Sequence, residues 1–219
     1  LKNGSIIAIL VDHKLRKESF NECKFTSNFL NKLNINNKIL NVSKKNLQKK
    51  NMSEARDNRY TKLINYCKKN NIFHLFLGHH FDDNLETFIL RKIAGSNFEG
   101  LNSMNYVSYM NQIQIIRPLL NVNKRKIINL NNKFNLPYIK DPSNYNIKYS
   151  RIAVRKYLKL DSAKVKLIKE DFSLIRRNYN LYIKMIYQII HSIIIEIKLN
   201  KLILNAKIFL RLNYEIQVK

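Results

Sequence analysis

The stretch "IFHLFLGHHFDDNLETFILRKIAGSNFEGL", residues 72–101, sets the expected fold of this chain. Its first six residues form a short and almost continuous apolar run, which is typical of a strand covered on both faces. Two histidines and two aspartates follow Gly78, and a helix is predicted to begin near Asp82 or Asp83. In a parallel α/β sheet, ligands bind beyond the carboxyl ends of the strands. The polar turn between this strand and this helix is therefore predicted to lie at a binding edge.

Similar units precede this stretch along the chain. Strands are predicted at 6–11, 38–42 and 72–78, and helices at about 17–33 and 53–70 between them. Alternating strands and helices imply a parallel sheet with right-handed crossovers and helices on its faces. A fourth strand is predicted at 112–119.

The chain changes character after a turn-rich stretch that contains Pro137 and Pro142. From about Arg151 onward the sequence pattern predicts helix. We therefore predict an α/β domain at 1–150 and a helical C-terminal region at 151–219. The most apolar late stretch, 181–199, is interrupted by Lys184, His191 and Glu196, which favours a buried or partner-facing helix over a membrane span.

Composition limits the classes of partner and of site. The 219 residues include 40 Lys and Arg against 15 Asp and Glu, a formal net charge of +25. Such an excess favours a polyanionic partner, and we expect nucleic acid, although abundant Lys, Asn and Ile also suggest an AT-rich genome. The two cysteines, Cys23 and Cys67, form no CxxC pair, which argues against a disulfide framework and a cysteine-rich zinc site. No signal peptide is recognised at the N-terminus, and a cytoplasmic location is expected.

The acidic and histidine residues after Gly78 admit several interpretations. Helix capping accounts for one aspartate, but it does not account for His79, His80 and Glu86 beside it. A zinc site held by protein ligands alone is disfavoured, because the stretch lacks HExxH spacing. Carboxylates that hold Mg²⁺ on a nucleotide, with a histidine oriented by one of them, fit this pattern better.

Five ordered motifs resemble those of one family. Residues 77–101 are similar to GHHxDDxxETxLxxxxxGSGxxGL, the signature of tRNA(Ile)-lysidine synthases in the PP-loop ATP pyrophosphatase superfamily. The other matching segments are "ILVDHKLRKES" (9–19), "SEARDNRY" (53–60), "IIRPLLNVNKRKI" (115–127) and "LPYIKDPSNYNIKYSRIAVRKYL" (136–158). The resemblance covers about residues 6 to 158. It implies an adenine nucleotide α-hydrolase-like fold and ATP-dependent ligation of lysine to C2 of the wobble cytidine in an isoleucine tRNA with a CAU anticodon.

The resemblance also implies roles for individual residues. His80, Asp83 and Glu86 are expected to form a polar wall around ATP, Mg²⁺ and L-lysine, with Asp82 as a weaker candidate. His13 is expected to contact adenosine. Arg117, Arg151 and Arg155 are expected to meet phosphates of ATP or tRNA, since a guanidinium matches phosphate oxygens. A solvated surface charge is the alternative for each arginine, and a simple turn is the alternative for Asp141 and Ser143.

The chain also departs from the family pattern. The S-G-G-x-D-S loop that wraps pyrophosphate is absent from these residues, whose four glycines are never adjacent. The first visible strand corresponds to the family's second, so we expect that one strand, the loop and one helix are missing. Ile152 replaces an Asn of the last motif, and Asn97 replaces a glycine. Two further hypotheses remain: a PP-loop tRNA thiolase, which usually needs paired cysteines, and a tRNA-binding remnant or fragment without catalysis.

Overall fold

The computed structural model describes residues 6–12, 14, 18–42, 52–139, 150–160 and 162–217. In chain order the elements are β1 (Ala8–Asp12), α1 (Ser19–Lys32), β2 (Asn37–Asn41), α2 (Met52–Lys69), β3 (His74–Phe76), α3 (Phe81–Ile93), α4 (Phe98–Leu101), β4 (Val107–Met110), β5 (Ile113–Ile116), α5 (Lys124–Lys133), α6 (Ser150–Leu160), α7 (Ser162–Ile193), β6 (Ile194–Lys198), β7 (Lys201–Leu204), α8 (Ala206–Phe209) and α9 (Tyr214–Gln217).

The chain divides into two compact units. An N-terminal unit comprises Leu1–His80 and Tyr106–Asp141, and a C-terminal unit comprises Phe81–Asn105 and Pro142–Lys219. These units differ from the predicted segments 1–150 and 151–219, because α3 and the loop after it pack with the C-terminal helices. The boundary near residue 150, as the limit of an α/β catalytic domain, stays a prediction.

The N-terminal unit has the predicted parallel α/β architecture. Strand β1 pairs in parallel with β2, from Ala8 opposite Asn37 to Asp12 opposite Asn41. Strand β3 pairs in parallel with β5, which confirms the predicted fourth strand. In the described part of the chain these are two separate ladders, since β3 pairs with β5 and not with β1.

One strand of this unit was not predicted. Strand β4 runs antiparallel to β5, and Asn111 and Gln112 connect them with φ angles of 49° and 71°. Positive φ at both central residues is the signature of a type I′ hairpin turn, whose usual sequence is Asn-Gly. Because Gln112 stands where Gly is usual, the Asn-Gly signal of this hairpin is missing from the sequence.

The core of the N-terminal unit is built from one helix and two strands. Helix α2 contributes Tyr60, Leu63, Ile64 and Cys67, whose spacing places them on one face. They pack against Leu75 of β3 and against Ile113 and Ile115, alternate residues that share one face of β5. This packing fixes β3 and β5, at whose carboxyl ends candidate site residues lie.

The C-terminal unit is mainly helical, as predicted. Leu85, Phe88 and Ile89 of α3 pack against Val154 of α6 and Phe172 of α7. The rings of Phe88 and Phe172 are 4.9 Å apart between centroids. Helix α3 is therefore held by its apolar face, and its first turns carry the carboxylates.

The prediction of helix throughout the late stretch is wrong at its end. Helix α7 stops at Ile193, and β6 and β7 form an antiparallel hairpin. The run "IIIEI" at 193–197 is rich in isoleucine, whose branched Cβ favours strand over helix. No helix in the described part of the chain combines the length and apolar character needed to cross a bilayer.

Candidate active site

The first turns of α3 carry the carboxylates predicted from the sequence. The helix begins at Phe81, so Asp82 and Asp83 lie in its first turn, where the helix dipole favours negative charge. The hydroxyl of Thr87 donates to the backbone carbonyl of Asp83 at 2.8 Å, a hydrogen bond within the helix itself. Glu86 is only 2% exposed. A buried carboxylate of this kind needs a hydrogen-bonding or charged partner.

Arg155 of α6 is that partner. Its Nε donates to Oε1 of Glu86 at 2.5 Å, and its Nη2 lies 3.7 Å from Oδ1 of Asp83. The hydrogen bond to Glu86 raises the pKa of Arg155, helped by the charges of Glu86, Asp83 and Asp82, while burial opposes this rise. The structure thus joins three predicted site residues in one cluster, which we call the carboxylate cluster: Asp83, Glu86 and Arg155.

One oxygen of this cluster is left for another ligand. Oε2 of Glu86 is buried, and no described residue of the protein hydrogen-bonds to it. Arg155 was expected to meet phosphate, yet its Nε is bonded to a carboxylate. A guanidinium has five N–H donors, so contact with a phosphate oxygen is still compatible with this bond. Arg151 lies four residues earlier on α6, on the same side of that helix, and is half-buried.

Asn84 is a residue that the sequence analysis missed. Its side chain is fully buried; Oδ1 accepts from the Met104 backbone N–H at 2.8 Å, and Nδ2 lies 3.4 Å from the Met104 carbonyl. This pair of bonds ties the start of α3 to the chain twenty residues later. In the sequence, Asn84 lies between predicted site residues and is typical of an exposed helix position. Its role is evident only in the structure, where the loop after α3 brings Met104 next to it.

Two other predicted residues lie at the sheet edge of the N-terminal unit. His80 ends the segment after β3, and Arg117 directly follows β5. Because β3 and β5 are parallel neighbours, both residues are at the carboxyl edge, where Leu77 N–H donates to the Ile116 carbonyl at 2.9 Å. His80 is half-buried, whereas Arg117 is 7% exposed and donates from Nη1 to the Ser108 hydroxyl at 2.9 Å.

A buried carboxylate ends β1 in the same unit. Asp12 is 2% exposed and accepts from the Lys14 N–H at 2.9 Å and from the Ser19 hydroxyl at 2.5 Å. His13, the residue predicted from this segment, lies outside the described residues, as do Asp141 and Ser143. An aspartate immediately after an apolar run was the available signal for Asp12.

The carboxylate cluster suits a cationic ligand. Carboxylate oxygens bind Mg²⁺, which proteins usually hold through one or two of them together with substrate phosphates. They also accept hydrogen bonds from an ammonium group. The orphaned Oε2 of Glu86 and the partly exposed Asp83 fit either ligand.

Comparison with known proteins agrees with this architecture. Residues 2–160 match a family model described as a PP-loop domain. The chain is 41% identical over 154 residues to the tRNA(Ile)-lysidine synthase of Wolbachia pipientis wMel, which is 70% of this chain and 36% of that protein. It is 32% identical over 203 residues to that of Orientia tsutsugamushi strain Boryong, 90% of this chain and 46% of that protein. The chain thus spans less than half the length of these relatives.

A solved structure confirms the fold class. The U34-tRNA thiolase NcsA from Methanococcus maripaludis, determined with its [4Fe-4S] cluster, superposes with a TM-score of 0.62 at 18% identity. The match covers 81% of this chain and 61% of the thiolase. At this identity the likeness concerns the fold, the predicted α/β arrangement with flanking helices.

Proposed function

The chain belongs to the PP-loop family, and on that premise we propose that the protein ligates L-lysine to C2 of the wobble cytidine in an isoleucine tRNA, using ATP. The relatives from Wolbachia and Orientia carry the name of this activity. The observation that carries the proposal is the carboxylate cluster, a buried Glu86 held by Arg155 with one oxygen left for a ligand.

The proposed reaction has two steps. The C2 carbonyl of cytidine is a poor electrophile, so its O2 first attacks the α-phosphorus of ATP and pyrophosphate leaves. The lysine ammonium group gives one proton to water and attacks C2 as a neutral amine. AMP then departs with the oxygen, and the nitrogen releases a second proton to water. Mg²⁺, when bound, neutralises the phosphates and stabilises the leaving pyrophosphate.

The chain's own residues have distinct parts in this scheme. Glu86 and Asp83 hold the lysine ammonium group or Mg²⁺, and Arg155 fixes the direction of the Glu86 carboxylate through its hydrogen bond. Arg117 and Arg151 meet phosphates of ATP or tRNA, and His80 assists at the sheet edge. His13 contacts adenosine in this proposal.

The thiolase alternative is less well supported by the cysteines. Cys67 is fully buried in the core of the N-terminal unit, and burial raises its pKa. Burial also raises the pKa of Cys23, as do the charges of Asp12 and Glu22. Thiolates act as nucleophiles and sulfur carriers, so raised pKa values disfavour this role for both residues.

A single reaction series tests the proposal. The protein expressed from its complete gene is incubated with an isoleucine tRNA transcript, ATP and lysine, and tRNA nucleosides are analysed by mass spectrometry. We expect lysidine, with AMP and pyrophosphate released in proportion. Replacing lysine by sulfide distinguishes the thiolase, which would give a thiolated nucleoside. Binding of the transcript without AMP release would support the non-catalytic alternative and overturn the ligase.

A further inference from the structure

The C-terminal unit contains an open cleft that the proposed reaction does not use. Its volume is about 590 Å³. The wall is mainly polar and includes Arg91, Ser96, Glu99, Ser103 and Asn105, with Tyr179 of α7 on another side. The loop between α3 and β4 thus provides most of this wall.

The loop is held rigidly by its own contacts. Nη1 of Arg91 donates to the carbonyls of Gly100 and Ser103 at 2.6 and 3.2 Å. The Gly100 N–H donates to Oδ1 of Asn97 at 2.9 Å. A Cβ at Gly100 would come within 2.9 Å of the Ser96 Cβ, so the backbone approaches here more closely than a side chain permits. A wall fixed in advance loses little entropy when a ligand binds.

A buried amide holds one residue of the wall. Asn102 is 2% exposed, and its Nδ2 donates to Oδ1 of Asn105 at 2.6 Å. Its own Oδ1 is buried, and none of the described residues donates a hydrogen bond to it. Asn102 does not itself line the cleft, so it acts on the cleft through Asn105, which does. The bond from Asn102 also orients the Asn105 carboxamide at the wall.

The wall favours a neutral, planar and polar ligand. The charged side chains that line the cleft are one negative, Glu99, and one positive, Arg91, so the wall has no net charge to attract a phosphate. Amide, hydroxyl and carboxylate groups hydrogen-bond the edges of bases. Tyr179, which lines the cleft, is 9% exposed, and the more exposed ring next to it is Phe98, 41% exposed, with a centroid distance of 5.7 Å between the two. Unpaired RNA bases stack on such rings.

We propose that this cleft binds one unpaired base of the tRNA anticodon loop, next to the cytidine that is modified. The assignment rests on the proposed function, because it needs an RNA substrate. Arg91 follows Glu86 by five residues on α3, which is about 7–8 Å along the helix axis. Stacked bases in one strand rise by only about 3.4 Å, so the bound base leaves the stack, as in RNA loops that proteins splay open.

The experiment uses RNA hairpins with the sequence of the anticodon stem and loop. Each unpaired loop position is replaced in turn by an abasic nucleotide, and the Kd for the full-length protein is measured by filter binding at constant salt. In the wild-type protein we expect one position besides the wobble cytidine to weaken binding about tenfold, the scale of one or two lost hydrogen bonds with a stacking contact. In Glu99→Gln and Asn105→Ala proteins, the penalty at that position should fall to about twofold or less.

A matched control separates charge from recognition. Glu196→Gln removes the same negative charge from the exposed strand β6 of the same unit, where Glu196 pairs with Lys198. It should leave the penalty at every position unchanged. Glu99 is exposed, so Glu99→Gln remains informative if Asn105→Ala disturbs the loop.

The outcomes below would overturn the assignment of this cleft to an unpaired base. An unchanged pattern of penalties in Glu99→Gln protein would exclude base binding in the cleft, and lysidine formation in that protein would show that the proposed function survives. If the loss of affinity caused by the abasic nucleotide disappeared when free lysine was added, the cleft would be assigned to an amino acid. A protein that binds neither hairpin nor transcript would overturn both the cleft and the proposed function.

Discussion

The two ends of α3 carry ion pairs in opposite settings. In its first turns, the Glu86 side chain is 3% exposed and bonded to Arg155, which is 30% exposed. In its last turn, Lys92 is 57% exposed and pairs with Asp171, which is 35% exposed. Exposed pairs contribute little to stability, whereas a buried charge requires its partner. Core packing alone does not require a charge at Glu86, and this difference supports the first turns as the functional end.

The largest expected effect comes from leaving the buried charge alone. Arg155→Ala should lower the free energy of unfolding by about 3 kcal/mol, the low end for breaking a buried pair, since Arg155 is partly exposed. Urea denaturation measures this loss. Lys156→Ala, an exposed neighbour on α6, is the control and should change stability by less than about 0.5 kcal/mol. Equal losses in the two variants would remove the contrast between the ends of α3.

The second prediction concerns activity. Asp83→Asn and Glu86→Gln keep size but remove charge, and each should reduce lysidine formation by about 100-fold or more. His80→Ala should behave similarly. The readout is single-turnover modification of the tRNA transcript per folded molecule, with melting curves measured in parallel. Lys92→Met, at the other end of α3, should stay within about twofold of wild type because an exposed pair is remote from the reaction.

A capping role predicts the opposite pattern for these carboxylates. Loss of a cap lowers stability by about 1 kcal/mol and leaves turnover per folded molecule near normal. Wild-type rates in folded Asp83→Asn, Glu86→Gln and His80→Ala proteins would therefore leave the first turns of α3 as a capped helix. Glu86→Gln is also expected to weaken the bond to Arg155, so its melting temperature should fall more than that of Asp83→Asn.

Local patterns in the sequence predicted the elements that carry the site. The apolar run before Gly78 and the acidic residues after it placed α3 within two residues of its observed start at Phe81. The strands near 8–12, 37–41 and 113–116 were predicted for the same reason, because strand and helix periods are local properties. The hairpin after Ile193 was missed because the apolar run continues directly from a helix, where periodicity alone does not separate helix from strand and only the branched isoleucines indicate a strand.

The partners of the site could not be predicted in this way. Arg155 meets Glu86 across 69 residues of chain, and the chain has 40 Lys and Arg from which to choose. The family resemblance selected Arg155, but it assigned phosphate and not a carboxylate as its contact. The role of Asn84 depends on the position of Met104, which in turn depends on how the loop after α3 folds back. Such pairings are tertiary and leave no periodic signal.

A buried but uncharged group should give an intermediate effect. Asn84→Ala leaves the Met104 N–H buried without its partner, and the free energy of unfolding should fall by about 2 kcal/mol. The control is Asn70→Ala, whose exposed side chain donates to the Tyr66 carbonyl at 2.8 Å. That change should lower stability by about 0.5 kcal/mol or less, since water replaces an exposed hydrogen bond. Thermal and urea unfolding of both proteins decide the point, and similar losses would show that burial of Asn84 is unimportant.

The smallest effect is expected at the last turn of α3. Lys92→Met and Asp171→Asn should each change stability by less than about 0.5 kcal/mol, because both partners are solvated. A double-mutant cycle isolates the coupling, which should be at most about 0.5 kcal/mol and should vanish in 1 M NaCl, where the screening length is about 3 Å. The same cycle on Glu86→Gln and Arg155→Ala should give a coupling of about 2 kcal/mol that largely persists in high salt, because buried pairs are screened less. If the two couplings were equal in size and salt dependence, the burial of Glu86 would carry no energetic meaning, and the argument that its charge is retained for function would fail.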